Sequence, residues 1–195
     1  MVGQLADYIN KLSAQLVKSK VETYVVTYHD SLTGAIEEAN GAKVFRVANP
    51  VRAHIGFLTW DLTLNQEVER AAANIYYQAD EQVDLIDVYD WHFIPAAVTL
   101  KNALNIPFVY SVESLEDHRS PDANTPYNMS IKSIEWRGLY EAEKIRVKSE
   151  SMRDEIARIH NVPKTRVKIV SPNTDSWMKD VLEVYKTVAG GTSNK

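Results

Sequence analysis

The stretch Tyr89-Asp90-Trp91-His92 sets a phenol, a carboxyl, an indole and an imidazole in a row. The apolar run Val83 to Val88 precedes it, and an apolar helical pattern starts directly after it. Asp90 in such a place can cap the following helix by accepting backbone N–H bonds. It can also accept hydrogen bonds from a ligand's hydroxyls. Trp91 can offer a flat apolar face to a sugar ring, or pack into a core. A second concentration follows in "YSVESLEDHRS", where Glu113, Glu116, Asp117, His118 and Arg119 crowd together. Acids and bases at one loop suit proton transfer or hydroxyl binding. The alternative is a solvated loop in which Arg119 holds a carboxylate.

The elements that must position these groups alternate in type. Gly3 to Lys18 carries Leu5, Tyr8, Ile9, Leu12 and Leu16 on one helical face. Val21 to Tyr28 is β-branched and aromatic, which predicts a strand. The spacing next predicts a short helix over Leu32 to Ala39, closed by Asn40-Gly41, a strand over Lys43 to Val47, and a long helix over Trp60 to Gln78. Strands at 83–88, 108–112, 145–148 and 167–170 then alternate with helices at 94–104, 127–141, 151–160 and 177–188. Such alternation implies right-handed βαβ crossovers and a mostly parallel sheet. The fold class is therefore α/β, a Rossmann-like parallel sheet with helices on both faces. Sheets of this kind bind ligands outside the carboxyl ends of their strands. Asp90 and Glu113 both fall there.

Composition narrows the function classes. The chain has 195 residues, 45% of them hydrophobic and 25% charged, values of an ordinary globular protein with a sizeable core. A net charge of −4 gives no support to a nucleic-acid surface or a polybasic membrane patch. Cysteine is absent, which removes disulfides and thiolate metal sites. No apolar run approaches a membrane span, and MVGQLADYIN lacks the pattern of a signal peptide, so the cytosol is the expected compartment. No His pair at i, i+4 suggests a metal. Neither a Gly-x-Gly-x-x-Gly fingerprint, nor a P-loop, nor Gly-x-Ser-x-Gly occurs. There is no internal repeat.

The run "IDVYDWHFIPAAVTLKNALNIPFVYSVESLEDHRS", followed by "IEWRGLYEAEKIRVKSESMRDEIARIHNVPKTRVKIVSPN", resembles the N-terminal domain of glycogen-synthase-like retaining glycosyltransferases of the GT-B fold. That family carries an Asp-Trp dipeptide after a strand and a Thr-x-His-Ser-x-Glu-x-x-Arg-like segment after the next. An Ile-Glu-x-x-Gly-x-Tyr-Glu-Ala helix, a strand ending in Ser and a Val-Pro-x-x-Lys-Ile turn follow. The resemblance is strong over residues 80–173 and fair for the first helix. It implies one half of a GT-B fold. Residues 1–173 would be the acceptor-side Rossmann-like domain, 174–189 a crossover-type helix packed on it, and 190–195 a flexible tail.

The resemblance implies that Asp90 and Trp91 line the acceptor side, with Glu113 and Arg119 as further substrate-binding candidates. The expected acceptor is an α-glucan or oligosaccharide. ADP- or UDP-glucose would be a substrate, so no cofactor is expected. Departures from the pattern are informative. Glu113 stands where the family has His, and a carboxylate accepts but does not donate. Gly3-Gln4 stands for the family's Gly-Gly pair near the diphosphate, and a side chain at Gln4 crowds that approach. The family's first strand would precede Met1. After Pro172-Asn173, where the nucleotide-sugar domain would begin, "TDSWMKDVLEVYKTVAG" follows, and it looks like the family's last helix. Glu135 and Glu143 match a Glu-x7-Glu spacing, but without the Pro-Phe-Gly context. The expectation is a domain inactive on its own. Whether it is a piece of an enzyme, a subunit that meets a separate C-terminal domain, or a non-catalytic glucan-binding or partner-docking remnant stays open.

Overall fold

The computed structural model describes residues 3–191 except 31–34, 52, 54 and 55. The expected tail beyond Gly191 and the start of the helix expected from Leu32 lie outside the described residues. The chain divides into two compact units, Met1–Glu81 and Gln82–Lys195.

In the first unit, α1 (Gln4–Lys18) turns Leu12 and Leu16 inward, as its apolar spacing requires. Strands β1 (Tyr24–Tyr28), β2 (Ala35–Ala39) and β3 (Ala42–Val47) form a sheet in the order β1-β3-β2. β1 runs parallel to β3, and β2 runs antiparallel to it. The helix expected over 32–39 is therefore replaced by a strand from Ala35 onward. The reason lies in Asn40-Gly41, whose φ values of 52° and 84° are both left-handed. That pair makes a two-residue hairpin turn, not a helix stop. Glycine is required there twice over, since a Cβ at Gly41 would stand 2.7 Å from a Val17 methyl. The unit closes with α2 (Phe57–Gln78). Asn49, in the loop after β3, donates to the Trp60 carbonyl at 2.6 Å and accepts from Thr63 Oγ1 at 3.0 Å.

The second unit is built around four parallel strands in sequence order, β4 (Ile86–Tyr89), β5 (Phe108–Ser111), β6 (Lys144–Val147) and β7 (Val167–Ile169). Their connections are α3 (Ile94–Leu104), the single-turn α4 (Glu116–Arg119), α5 (Pro126–Glu141) and α6 (Glu150–His160), and α7 (Trp177–Gly190) ends the fold. Local signals set these bounds. Thr125 Oγ1 accepts from Asn128 N–H to cap α5, and Ser149 Oγ accepts from Met152 N–H to cap α6. Asn105 and Asn161, at φ 57° and 54°, end α3 and α6 in the left-handed conformation.

Strand alternation gives this sheet two unlike faces. Val88, Phe108, Tyr110, Ile145, Val147 and Val167 share one buried apolar cluster with Ile94, Ala97, Leu139 and Ile156 of α3, α5 and α6. Gly138 lets α5 come this close, because a Cβ there would meet Ile94 Cδ1 at 2.7 Å and Tyr110 Cε1 at 3.0 Å. The other face is polar and carries α7. Asp87 accepts from Arg146 at 2.7 Å, Ser111 Oγ at 2.7 Å and Tyr89 Oη at 2.8 Å. Tyr185 of α7 donates to the same carboxylate. Arg146 is 4% exposed, and the Tyr89 and Tyr185 rings flank its guanidinium. Helices thus lie on both faces, as the alternation predicts.

Candidate functional site at the carboxyl edge of the sheet

β4 stops at Tyr89, and Asp90 turns into the left-handed region at φ 54°. Its N–H donates to the Ser111 carbonyl at 3.0 Å, the last ladder bond to β5. Its Oδ1 accepts from the N–H groups of Glu113 at 2.9 Å and Ser114 at 3.1 Å. The side chain therefore braces the loop after the neighbouring strand. It does not cap the following helix, for α3 starts at Ile94 behind Phe93 with no side-chain cap. The cap reading of Asp90 is corrected accordingly. Asp90 is half-buried. Its Oδ2 accepts no hydrogen bond among the described residues.

Trp91 is 4% exposed and lies against the His92 ring, centroids 4.1 Å apart. Of the two uses open to it, the structure shows packing. It supports the turn that carries Asp90 and presents no open ring face.

Beyond β5, Glu113 pairs with Lys148 at the end of β6. The alternative reading of the next residues holds in one part, since Arg119 does hold a carboxylate, and fails in the other, since the start of the loop is not solvated. Leu115 is fully buried and Glu116 is 3% exposed. Glu135 of α5, also fully buried, reaches the loop from beneath and accepts the Glu116 N–H with both oxygens, at 2.9 and 3.1 Å. Arg119 donates to Glu135 at 2.6 Å, to Glu116 at 3.0 Å and to Ser114 Oγ. Asn128 completes the set by donating to Glu116 at 2.7 Å. Arg119 is thus committed to holding the loop.

The electrostatics follow from that geometry. Burial raises the Glu135 carboxyl above its usual range, against the opposing pull of the Glu116 N–H and Arg119. Burial acts on Glu116 in the same sense, but the bonds from Asn128 and Arg119 outweigh it and hold that carboxyl low. Tyr110 lies fully buried, its hydroxyl without a hydrogen-bond partner among the described residues. Burial first, then the charges of Glu135 and Asp90, pushes that phenol well above its ordinary value.

Asp90, Glu113, Arg119 and the buried Trp91 thus gather at one edge of the second unit. Gly3 and Gln4 belong to the first unit. Gly3 has ordinary extended backbone at φ −76°, and a Cβ added to it meets nothing within 4 Å among the described residues. Gln4 opens α1 and is exposed. Glu143 accepts the Phe108 N–H at the opposite end of β5, so it forms no pair with Glu135. Glu135, Lys148 and Tyr110 were missed as parts of the site. Only the Ile-Glu-x-x-Gly segment hinted at Glu135. Among the described residues no group of three His, Cys, Asp or Glu side chains is placed to hold a metal, and no helix is long and apolar enough to cross a membrane.

The sequence pattern of the glycosyl transferase 4-like domain matches residues 5–173. An uncharacterized glycosyltransferase from Methanocaldococcus jannaschii is 30% identical over 183 residues, 93% of this chain and 45% of that protein. The chain thus spans about half the length of this curated relative. Among solved structures, one chain of sucrose-phosphate synthase from Thermosynechococcus elongatus superposes with a TM-score of 0.68 at 14% identity, covering 95% of this chain and 94% of its own. A second chain of that protein gives 0.72 at 16% identity, over 88% of this chain and 43% of its own. A UDP-bound UGT transferase from Siraitia grosvenorii gives 0.55 at 15% identity, over 88% and 49%. These likenesses establish the fold as one domain of the GT-B type.

Proposed function

Since the chain belongs to the glycosyl transferase 4-like domain family, we propose that it is the acceptor-side half of a glucosyl transfer enzyme. In this reading it holds an α-glucan or oligosaccharide acceptor while a nucleotide-sugar-binding C-terminal domain presents ADP- or UDP-glucose. The observation that carries the proposal is the Asp90 carboxylate. One oxygen is spent on the backbone of Glu113 and Ser114. The other is left, at a half-buried position on the carboxyl edge, to accept from a sugar hydroxyl. In retaining transfer the acceptor hydroxyl attacks on the face the diphosphate leaves, and charge stabilisation of that diphosphate carries much of the rate. The groups that would supply it belong mostly to the other domain. This chain's part is to bind and orient the acceptor. Glu113 adds no net charge at the edge, because Lys148 balances it.

Purified chain is expected to incorporate no sugar from labelled ADP-glucose or UDP-glucose. Maltoheptaose should nevertheless shift the amide signals of Glu113 and Ser114, with a Kd on the order of millimolar, as few-contact sugar sites give. Asp90→Asn keeps an oxygen for the loop and replaces the free acceptor with a donor. It should weaken that binding by about tenfold, a 1.4 kcal/mol effect, without unfolding the protein. Sugar incorporation by the chain alone, or full binding by D90N, overturns the reading.

A second reading, a non-catalytic glucan-binding or partner-docking domain, is favoured by Glu113. With a carboxylate in place of the family's imidazole, already paired to Lys148, the side chain at 113 offers no donor of its own. Mixing separates the two readings. Transfer that appears when a nucleotide-sugar-binding domain of the same family is added supports the enzyme half. Saccharide binding that stays uncoupled from transfer supports the second.

A further inference from the structure

The outward face of α5 carries an exposed aromatic pair that the carboxyl edge does not use. Trp136 is 49% exposed and Tyr140 is 65% exposed. Their i, i+4 spacing stacks them, with ring centroids 5.4 Å apart and planes 11° from parallel. The opposite face of the same helix is buried at Ile131, Glu135, Gly138 and Leu139. With one face of each ring against its neighbour, about half of Trp136 and two thirds of Tyr140 still meet solvent, so this pair is a solvent-facing ring surface. Its border is polar. Ser133 is exposed beside Trp136, and the ion pair Arg137–Glu141, at 2.8 Å, flanks Tyr140. Arg166 donates to the carbonyls of Tyr140 and Ala142, which holds the end of the helix in place.

We infer that Trp136 and Tyr140 form an auxiliary saccharide platform that takes a hexose ring of an α-glucan chain outside the acceptor site. The occupant follows from the patch itself. A docked protein would call for a broad apolar area, whereas here the two stacked rings are set off by the exposed Ser133 from Met129, which is 50% exposed two turns earlier on the same face, and by the Arg137–Glu141 pair on their far side. An aromatic face, negative at its centre, attracts the slightly positive C–H face of a pyranose. Arg137 and Glu141 supply a donor and an acceptor for its hydroxyls. The choice of an α-glucan rests on the reading under Proposed function.

The test is a titration of the full 195-residue chain with maltoheptaose, to roughly 20 mM, well above a millimolar Kd, followed by NMR. The Trp136 indole N–H and the outward amides of α5 should shift. Tyr140→Ala should weaken the response of the indole by about tenfold, while the shifts at Glu113 and Ser114 persist. Shifts at Glu113 and Ser114 with a silent Trp136 overturn the platform and leave the acceptor reading standing. Shifts at Trp136 with a silent Glu113 support the platform and count against the acceptor site. Self-association that Trp136→Ala abolishes and maltoheptaose does not compete overturns the platform in favour of an interface between copies.

Discussion

Asp90 sits at φ 54°, a conformation that costs most L-residues about 1 kcal/mol or more and that Asp and Asn tolerate best. The strain is repaid by two backbone N–H groups that one carboxylate oxygen satisfies. Bonds to a charged group contribute about 1.5–3 kcal/mol each. Asp90→Ala should therefore lower stability in urea by roughly 3 kcal/mol, because it loses both bonds and keeps the strained backbone. Asp90→Asn should cost no more than about 1 kcal/mol. Equal losses for the two would show that the oxygen does not brace the loop. At Glu155 the contacts are with Arg158 first and His118 second, and they hold its carboxyl at about 2 against an ordinary 4.5. A depressed carboxyl stabilises the fold above its unfolded value. The contribution is lost as pH falls from 4.5 towards 2. Carboxyl NMR should place the Glu155 midpoint near 2, and Arg158→Ala should move it up towards 4.5. A midpoint near 4.5 in the unmutated chain would show that the ion pair does not persist in solution.

At the scale of elements, α7 is the clearest case of a helix held by a few named groups. Trp177, Val181, Val184 and Val188 are its buried stripe, and Tyr185 donates to Asp87 on the polar face of the sheet. Tyr185→Phe should cost about 1.5–3 kcal/mol by removing a bond to a buried charge. A chain ending at Asn173 loses Trp177 and Tyr185, each worth about 3 kcal/mol or more as a large aromatic core residue, and its thermal midpoint should fall. An unchanged midpoint would leave α7 an appendage. The stripe was legible in the sequence, because a 3.6-residue period is local. So were β4 to β7, bounded by Asn, Pro and Ser signals. The β2–β3 hairpin was not. Asn-Gly suits a helix end and a hairpin turn equally, since both need a left-handed residue. Pairing with β3 decides between them, and that pairing is not local. The site was half legible for the same reason. Asp90 announces itself after a strand. Glu135 acts on the Glu116 N–H across a separation of 19 residues, which no spacing rule reaches. The Asp87–Arg146 pair, 59 residues apart, is equally invisible.

At the scale of the whole molecule, the family match runs over residues 5–173 and so takes in most of both compact units. The units are not built alike. The large apolar cluster draws every member from Ile86 to Ile169, all within the second unit. The ion pair under α7 and the braced loop of the candidate site lie in it too. The junction is marked by Asp80 and Glu81, consecutive residues at φ 50° and 63°. A fragment from Gln82 to Lys195 therefore carries its own sheet, its own core and its own helices on both faces. It should fold without the first unit and unfold in one cooperative thermal step. Slow amide exchange is expected in β5 and β6, the strands paired on both sides. The same fragment should keep the maltoheptaose shifts at Glu113 and Ser114, since the bonds from Asp90, Glu135, Arg119 and Lys148 to that loop are internal to it. If the fragment is unfolded, the first unit supplies stability that the second lacks. If it folds but its loop no longer responds to sugar, the acceptor reading must be given up for the second unit alone.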